Sequence, residues 1–580
     1  MFRTAVTWQN RAAMHNAVAK IAAGATTPAS RQRQREEVVA SYWQRYCAKN
    51  DTIGFFGPLA WGRVTDDGPA VEASRGQLVS ESTVHFEAWA IQALAEALDP
   101  GLTVFAGPQS ERDLRIQLER SRPELRDRGF AALGRLERCR SAAARAADPG
   151  ALDAALGDLD RVFEELTGRS ATRRPGQTYA ARTLVYLDCM RDLDLTVGPG
   201  MRDELAATLP PLLAGARWYC GRVYEAARQV IGEAAAQIGA GPLDRVLGAV
   251  LPALRHLPDV VAEANGELQR RWSVLLADLD PATIRARATA AFADYVPAWP
   301  TSVYQSLDVQ IAAPSPAAVN AGDYLCIVGD FHPGANPLGQ GVFATRHPDR
   351  DRFLGSIASD VGTRPFLIPP RDVGFQTTRN MPAITRPGDV HVAADPRDRM
   401  PDGYRTLAAA DLLTDGETVG PPDGSWRAPL AHLLGLPIMI AAVHGYDPFP
   451  ADAHGKRITI GRTVWRRETW HIPPTLGPAC SQAAAGWARD LGLPRRVFAL
   501  SPGEIKPIYV DFDSPVLTRI LCRQLRRAAA DFPGRPARFT EMLPAPDDCW
   551  LADQDGRRYT SELRLVAVDM RRSASRRSEQ

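Results

Sequence analysis

The chain has 580 residues, 45% of them hydrophobic and 23% charged, with a net charge of +2. That length is too great for one ordinary hydrophobic core and implies two to four packed units of a globular protein. The near-neutral balance does not announce a nucleic-acid binder, and no apolar run approaches the roughly 18 residues of a membrane span.

The N-terminus, Met1 to Arg11, has neither an apolar signal core nor a small-residue cleavage site, so a cytoplasmic protein is expected. Eight scattered cysteines form no Cys-x-x-Cys pair, and ten histidines form no His-Glu-x-x-His pattern, so no metal is implied. Only four of the 69 cationic side chains are lysine: Lys20, Lys49, Lys456 and Lys506. Guanidinium forks suit phosphate and base contact, although a GC-rich genome would give the same bias.

In chain order, Arg31 to Lys49 places Val38, Val39, Tyr42, Trp43 and Tyr46 at helical spacing and predicts a helix ending near Asn50–Gly54. Phe55 to Val64 reads as a short strand with a Gly-Pro interruption. Phe86 to about Val274 is mainly helical, interrupted at Arg173-Arg174-Pro175-Gly176 and by a predicted strand over Tyr179–Asp188. Strands follow at Leu307–Ile311 and Tyr324–Gly329, and residues 360–480 read as strand-dominated. Arg457 to Arg467 reads as a strand pair about a central turn, and Ser481 to Leu491 as a helix stopped by Gly492 and Pro494. Val497–Leu500 and Pro507–Phe512 form a predicted hairpin, Ser514–Asp531 a helix and Thr560–Val568 a closing strand. Arg571 to Gln580 reads as a disordered tail. The fold class is α+β with several subdomains: a lead-in over 1–85, a mainly helical part over 86–300 and a strand-rich part over 301–570.

No glycine-rich phosphate loop, nucleophile elbow or kinase signature is present, so a catalytic site would have to be assembled from distant segments. Arg45 and Lys49, four apart at a helix end, could offer two cations to a phosphate or complement the helix's own carbonyls. Arg173, Arg174 and Arg182 surround a turn and a strand, which a solvated, ion-paired surface would also explain. Lys506 stands at a hairpin in a chain that otherwise uses arginine. Glu541, Glu562 and Arg564 either pair across strands or line a site.

Taken together, Arg45 to Gly57, Gly168 to Asp192, Gly329-Asp330-Phe331-His332-Pro333-Gly334, Arg457 to Trp470, Gly492 to Phe498, Lys506 to Phe512 and Thr540 to Arg564 resemble successive blocks of the N-terminal, glutamylation-type region of lantibiotic dehydratases. The resemblance covers nearly all of residues 1–570. Lys49 and Asp51 depart from it, standing where the family pattern has arginine and threonine, and Ile53 replaces an aromatic. The pattern also suggests that a stretch preceding Phe2 is missing.

The resemblance implies an aminoacyl transferase that uses aminoacyl-tRNA as co-substrate, with ATP left open and no metal. Its function would be glutamylation of Ser/Thr in a ribosomally made precursor peptide, beside a separate elimination protein. Two alternatives remain: an ATP-dependent ligase adding an amino acid from tRNA to a peptide C-terminus, and an inactive homologue that only binds leader peptide. On this reading Arg45, Lys49 and Asp51 are the catalytic residues, while Arg174, Arg182, Arg462 and Lys506 bind tRNA or substrate. The precursor's leader would add a strand to an exposed sheet edge, and a homodimer is left open.

Overall fold

The computed structural model describes residues 57–173, 182–369 and 385–570, apart from 278, 296, 297, 396, 451 and 505, together with Thr378 and short stretches between 16 and 41. Within it the chain is a mixed α+β protein built around three hydrophobic cores and two five-stranded sheets.

The first core belongs to a helical unit. Helices Ala88–Leu98, Ser110–Glu119, Pro123–Ala144 and Pro149–Thr167 pack beside an antiparallel pair, Glu81–Phe86 with Val185–Met190. Local chemistry fixes the ends of the last helix. The Asp148 carboxylate accepts from the Ala151 N–H at 2.9 Å, Pro149 opens the first turn, and Gly168 closes it at φ +65°. Of the strand expected over Tyr179–Asp188, residues 179–181 lie outside the described residues and the described strand begins at Val185.

The largest core joins helices Pro210–Ala236, Leu257–Ala277 and Gly435–Gly445 to one face of the central sheet. That sheet runs in the order Ile458–Ile460, Thr463–Arg466, Leu325–Pro333, Tyr304–Ala312, Glu562–Val568. Only Thr463–Arg466 and Leu325–Pro333 pair in parallel. Leu307, Val309, Ile311, Cys326 and Val328 face the helices, among which Trp218 and Trp272 are fully buried.

The third core lies under the second sheet, ordered His454–Gly455, Thr469–Ile472, Ala537–Glu541, Arg496–Leu500, Ile508–Asp511, with helices Ala484–Asp490 and Pro515–Asp531. The hairpin, the helix beginning at Ser514, the Arg457–Arg467 strand pair and the closing strand all form where the sequence places them. The segment 360–480 is less strand-dominated than expected, because it contains the helix Gly435–Gly445. Its sequence is apolar nearly all round, so it shows no amphipathic stripe and reads as a strand. Of the strand expected over Phe55–Val64, the described part pairs at Arg63–Val64 and through a single bridge from Leu59 to Met190. No helix among the described residues is long and apolar enough to cross a membrane.

Candidate active site on the central sheet

Alternation along Tyr304–Ala312 sends Leu307, Val309 and Ile311 into the main core and Ser306, Asp308 and Gln310 to the opposite face. The partner strands contribute to that same face. Arg564 stands opposite Asp308, Glu562 opposite Gln310, and His332 opposite Ser306. A register shift between Leu307 and Val309 opens the ladder beside Asp308, where Asp330 arrives. Small apolar clusters flank the polar group: Val303, Tyr304, Ile357 and Val361 on one side, Ala312, Ile327 and Val464 on the other.

The group is tightly bonded. Arg564 donates from Nε to Asp308 Oδ1 at 2.7 Å and from Nη2 to Asp308 Oδ2 at 2.6 Å, with Glu562 Oε1 3.6 Å from the same Nη2. Asp308 is 1% exposed and the Arg564 side chain 11%. Burial alone would lower the Arg564 pKa, but the bidentate bond to Asp308 outweighs it and the guanidinium is held above its ordinary value. Glu562 is pushed up to about 8, first by burial and then by the Asp308 carboxylate beside it. Burial pushes His332 down to about 4, and its buried Nδ1 has no hydrogen-bond partner. Near neutral pH the face therefore carries a protonated carboxyl that can donate a proton and a neutral imidazole that can accept one.

Neighbouring elements close around these groups. The Arg564 guanidinium lies over the Phe343 ring at 5.3 Å, and the Trp61 indole donates to the Phe343 carbonyl at 3.1 Å. Arg467 Nη2 donates to Gln310 Oε1 at 2.8 Å, and Arg191 Nη1 to Ser561 Oγ at 3.3 Å. Asp308, Asp330 and His332 bring potential cation ligands within 4.8 Å of one another. Both Asp308 oxygens are already bonded to Arg564, so a metal there would have to displace a guanidinium or share an oxygen with it.

Arg45, Lys49, Asp51 and Arg174, expected at the site from the sequence, lie outside the described residues. The other three expected residues lie in the connections beside three different sheets. Arg182 is half-buried ahead of the Val185–Met190 strand, its carbonyl accepting from the Arg173 N–H at 3.1 Å. Arg462 follows the Gly461 turn of the central sheet, where it pairs with Glu204 at 3.2 Å, donates to the Gly322 carbonyl at 3.0 Å and lies over Tyr324. Lys506 is exposed on the loop between Arg496–Leu500 and Ile508–Asp511. Glu541 pairs across to Arg457 and accepts from the Glu468 N–H at 2.8 Å, whereas Glu562 and Arg564 line the polar face. Asp308 and Gln310 were not singled out from the sequence. Their signal was available: polar residues at every second position of a strand whose other positions are Leu307, Val309 and Ile311.

A family model for the lantibiotic dehydratase N terminus matches residues 1–107. Among solved structures, the tRNA-dependent lantibiotic dehydratase MibB from Microbispora sp. 107891 superposes with a TM-score of 0.56 at 13% identity, covering 92% of this chain. The chain spans 64% of the length of that structure. The TbtB glutamylation domain from thiomuracin biosynthesis, bound to 5'-phosphodesmethylglutamycin, superposes with a TM-score of 0.55 at 16% identity, covering 96% of this chain and 82% of that one. No curated protein sequence matches the chain. At such identities the likeness establishes the fold. The chain thus resembles the lantibiotic dehydratase N terminus in sequence over its first 107 residues and shares its fold with MibB and the TbtB glutamylation domain over nearly all of its length.

Proposed function

We propose that the polar face of the central sheet carries out aminoacyl transfer from tRNA to a ribosomally made peptide, as glutamylation of Ser/Thr. The observation that carries this reading is that one face of the central sheet holds a carboxyl pushed up to about 8, Glu562, and a neutral imidazole, His332, on the two strands flanking the Asp308 that binds Arg564. The family match and the TbtB glutamylation-domain fold support it.

In this reaction a peptide hydroxyl attacks the ester carbonyl of the aminoacyl-tRNA. A new oxygen–carbon bond forms, and the ester bond to the tRNA ribose oxygen breaks. His332 takes the hydroxyl proton through its unpartnered Nδ1, and Glu562 gives its proton to the departing ribose oxygen. Arg564, held by Asp308, places positive charge where the carbonyl oxygen becomes negative. Arg45 and Lys49, with Asp51 beside them, meet phosphate near the tRNA end, and Arg174, Arg182, Arg462 and Lys506 serve the rest of the tRNA or the peptide. The precursor peptide and tRNA are the partners, a separate protein carries out elimination, and the setting is the cytoplasm. ATP enters only if the transfer is a C-terminal ligation.

Co-expression with the precursor peptide, followed by mass spectrometry, tests this. A mass gain of glutamyl residues on Ser/Thr, lost in Glu562→Gln and in His332→Asn, is expected. An added amino acid on the peptide C-terminus would replace this reading by the ligase one. An unmodified peptide that still binds would leave a leader-binding protein without transferase activity.

A further inference from the structure

The chain leaving the strand Val185–Met190 brings a further guanidinium to the edge of the polar face. Arg191 is fixed by its backbone, whose N–H donates to the Leu59 carbonyl at 2.7 Å, and by one side-chain bond, from Nη1 to Ser561 Oγ at 3.3 Å. Ser561 immediately precedes Glu562, so the cation is anchored one residue from the carboxyl that serves the departing oxygen. Arg191 is half-buried. Burial lowers its pKa, but a guanidinium starts so high that it stays charged.

Among the described residues no carboxylate pairs with that charge. Asp553 attracts it from beyond ion-pair distance, and its own carboxylate accepts from the Asp555 N–H at 3.0 Å, the Arg557 N–H at 2.9 Å and the Tyr559 hydroxyl at 3.3 Å. Glu562 keeps its proton near neutral pH and has Arg564 beside it. Arg191 Nε and Nη2 make no hydrogen bond among the described residues, and neither is sealed from solvent. These two nitrogens form one edge of the guanidinium, a planar fork that matches the two oxygens of a carboxylate. A partly desolvated cation with that edge free is suited to a carboxylate brought by a ligand.

We propose that Arg191 reads the side-chain carboxylate of the amino acid being transferred, which makes the site selective for an acidic residue over its amide. This inference rests on the transfer reaction assigned to the polar face. There Glu562 gives its proton to the oxygen leaving the acyl carbon, and Ser561 holds Arg191 one residue away, about 3.8 Å along the backbone. An acidic amino acid carries its second carboxylate a few bonds from its acyl carbon, a separation of the same scale. The corresponding amide has one acceptor oxygen and turns an NH2 toward the donors of Arg191, so it loses the charge-assisted pair.

Calorimetric titration of the full chain with aminoacyl-adenosines, in which an amide link replaces the ester, tests it. The probes are the glutamyl compound, the glutaminyl compound and the glutaminyl compound bearing a 5'-phosphate. The wild type is expected to bind the glutamyl compound about tenfold or more tighter than the glutaminyl one, the scale of one charge-assisted pair. Arg191→Gln should lose that preference and bind the glutaminyl compound as the wild type does. Ser561→Asp keeps Arg191 but gives it a carboxylate of the chain's own. It should lose the preference equally, which decides the matter if the Arg191 variant does not fold. Equal binding of the first two compounds by the wild type, a preference retained in either folded variant, or no binding of any probe overturns the assignment. A loss in Arg191→Gln confined to the 5'-phosphate compound overturns it too, because the cation then meets phosphate. A modified precursor peptide without glutamyl preference would keep the transfer reaction and remove this role of Arg191. An unmodified precursor with an Arg191-dependent preference would do the reverse.

Discussion

In Glu562→Gln the buried carboxyl becomes an amide that cannot ionise. The native carboxyl holds its proton more tightly folded than unfolded, its pKa rising from 4.5 to about 8. Its contribution to stability is therefore complete below about 4.5 and is lost as pH rises through about 8. Melting curves from pH 5 to 9 should show a fall in wild-type Tm that is shallower in Glu562→Gln, and parallel curves would contradict the buried protonated acid. The same two groups set the pH dependence of transfer. Activity should fall below about pH 4 as His332 takes a proton, and above about pH 8 as Glu562 loses one. Arg564 and Asp308 follow a different logic. Removing one partner strands the other charge, so Arg564→Met should cost about 3–5 kcal/mol in urea unfolding. The double variant Arg564→Met/Asp308→Leu should cost distinctly less, because no buried charge is left alone.

Elements defined by their own turn chemistry were legible in the sequence. The Arg457–Arg467 pair turns at Gly461, whose φ of +56° favours glycine, and a Cβ there would come within 2.6 Å of Glu204 Oε1. Gly461→Ala should therefore destabilise by about 1–2 kcal/mol. It should also loosen Arg462 from Glu204, which an Arg462 side-chain relaxation measurement by NMR would register. The Ser514–Asp531 helix was readable because Ser514 caps it and Pro515 opens it; Ser514→Ala should cost about 1 kcal/mol in urea unfolding. The helix Gly435–Gly445 was not readable, since its residues are apolar on every side although only Gly435, Ile438, Met439 and Ala442 are buried, so the sequence shows no stripe.

On the scale of the whole molecule, the site was the least legible feature. Asp308 and Arg564 are 256 residues apart, and no local spacing announces a pairing over that distance. The resemblance gave the blocks containing His332, Glu562 and Arg564, but only the sheet order explains why those blocks meet. The fold also ties the N-terminal segment to the same place, through the bond from Trp61 to the Phe343 carbonyl. Trp61→Ala should reduce peptide modification, read by mass spectrometry, more than tenfold while shifting Tm by only a few degrees. An unchanged yield of modified peptide would show that this tie has no part in the reaction.

The strand Glu562–Val568 covers the edge of Tyr304–Ala312 along seven residue pairs. Until it docks, the inner strand offers unpaired amides and carbonyls, with apolar side chains alternating along them, to any passing chain. Pairing segments so distant in sequence is slow, so that exposure is prolonged during folding. Recombinant yield should therefore depend on how quickly this strand docks. Variants that weaken Asp308–Arg564 should accumulate in inclusion bodies even where the purified fraction still melts near the wild-type temperature.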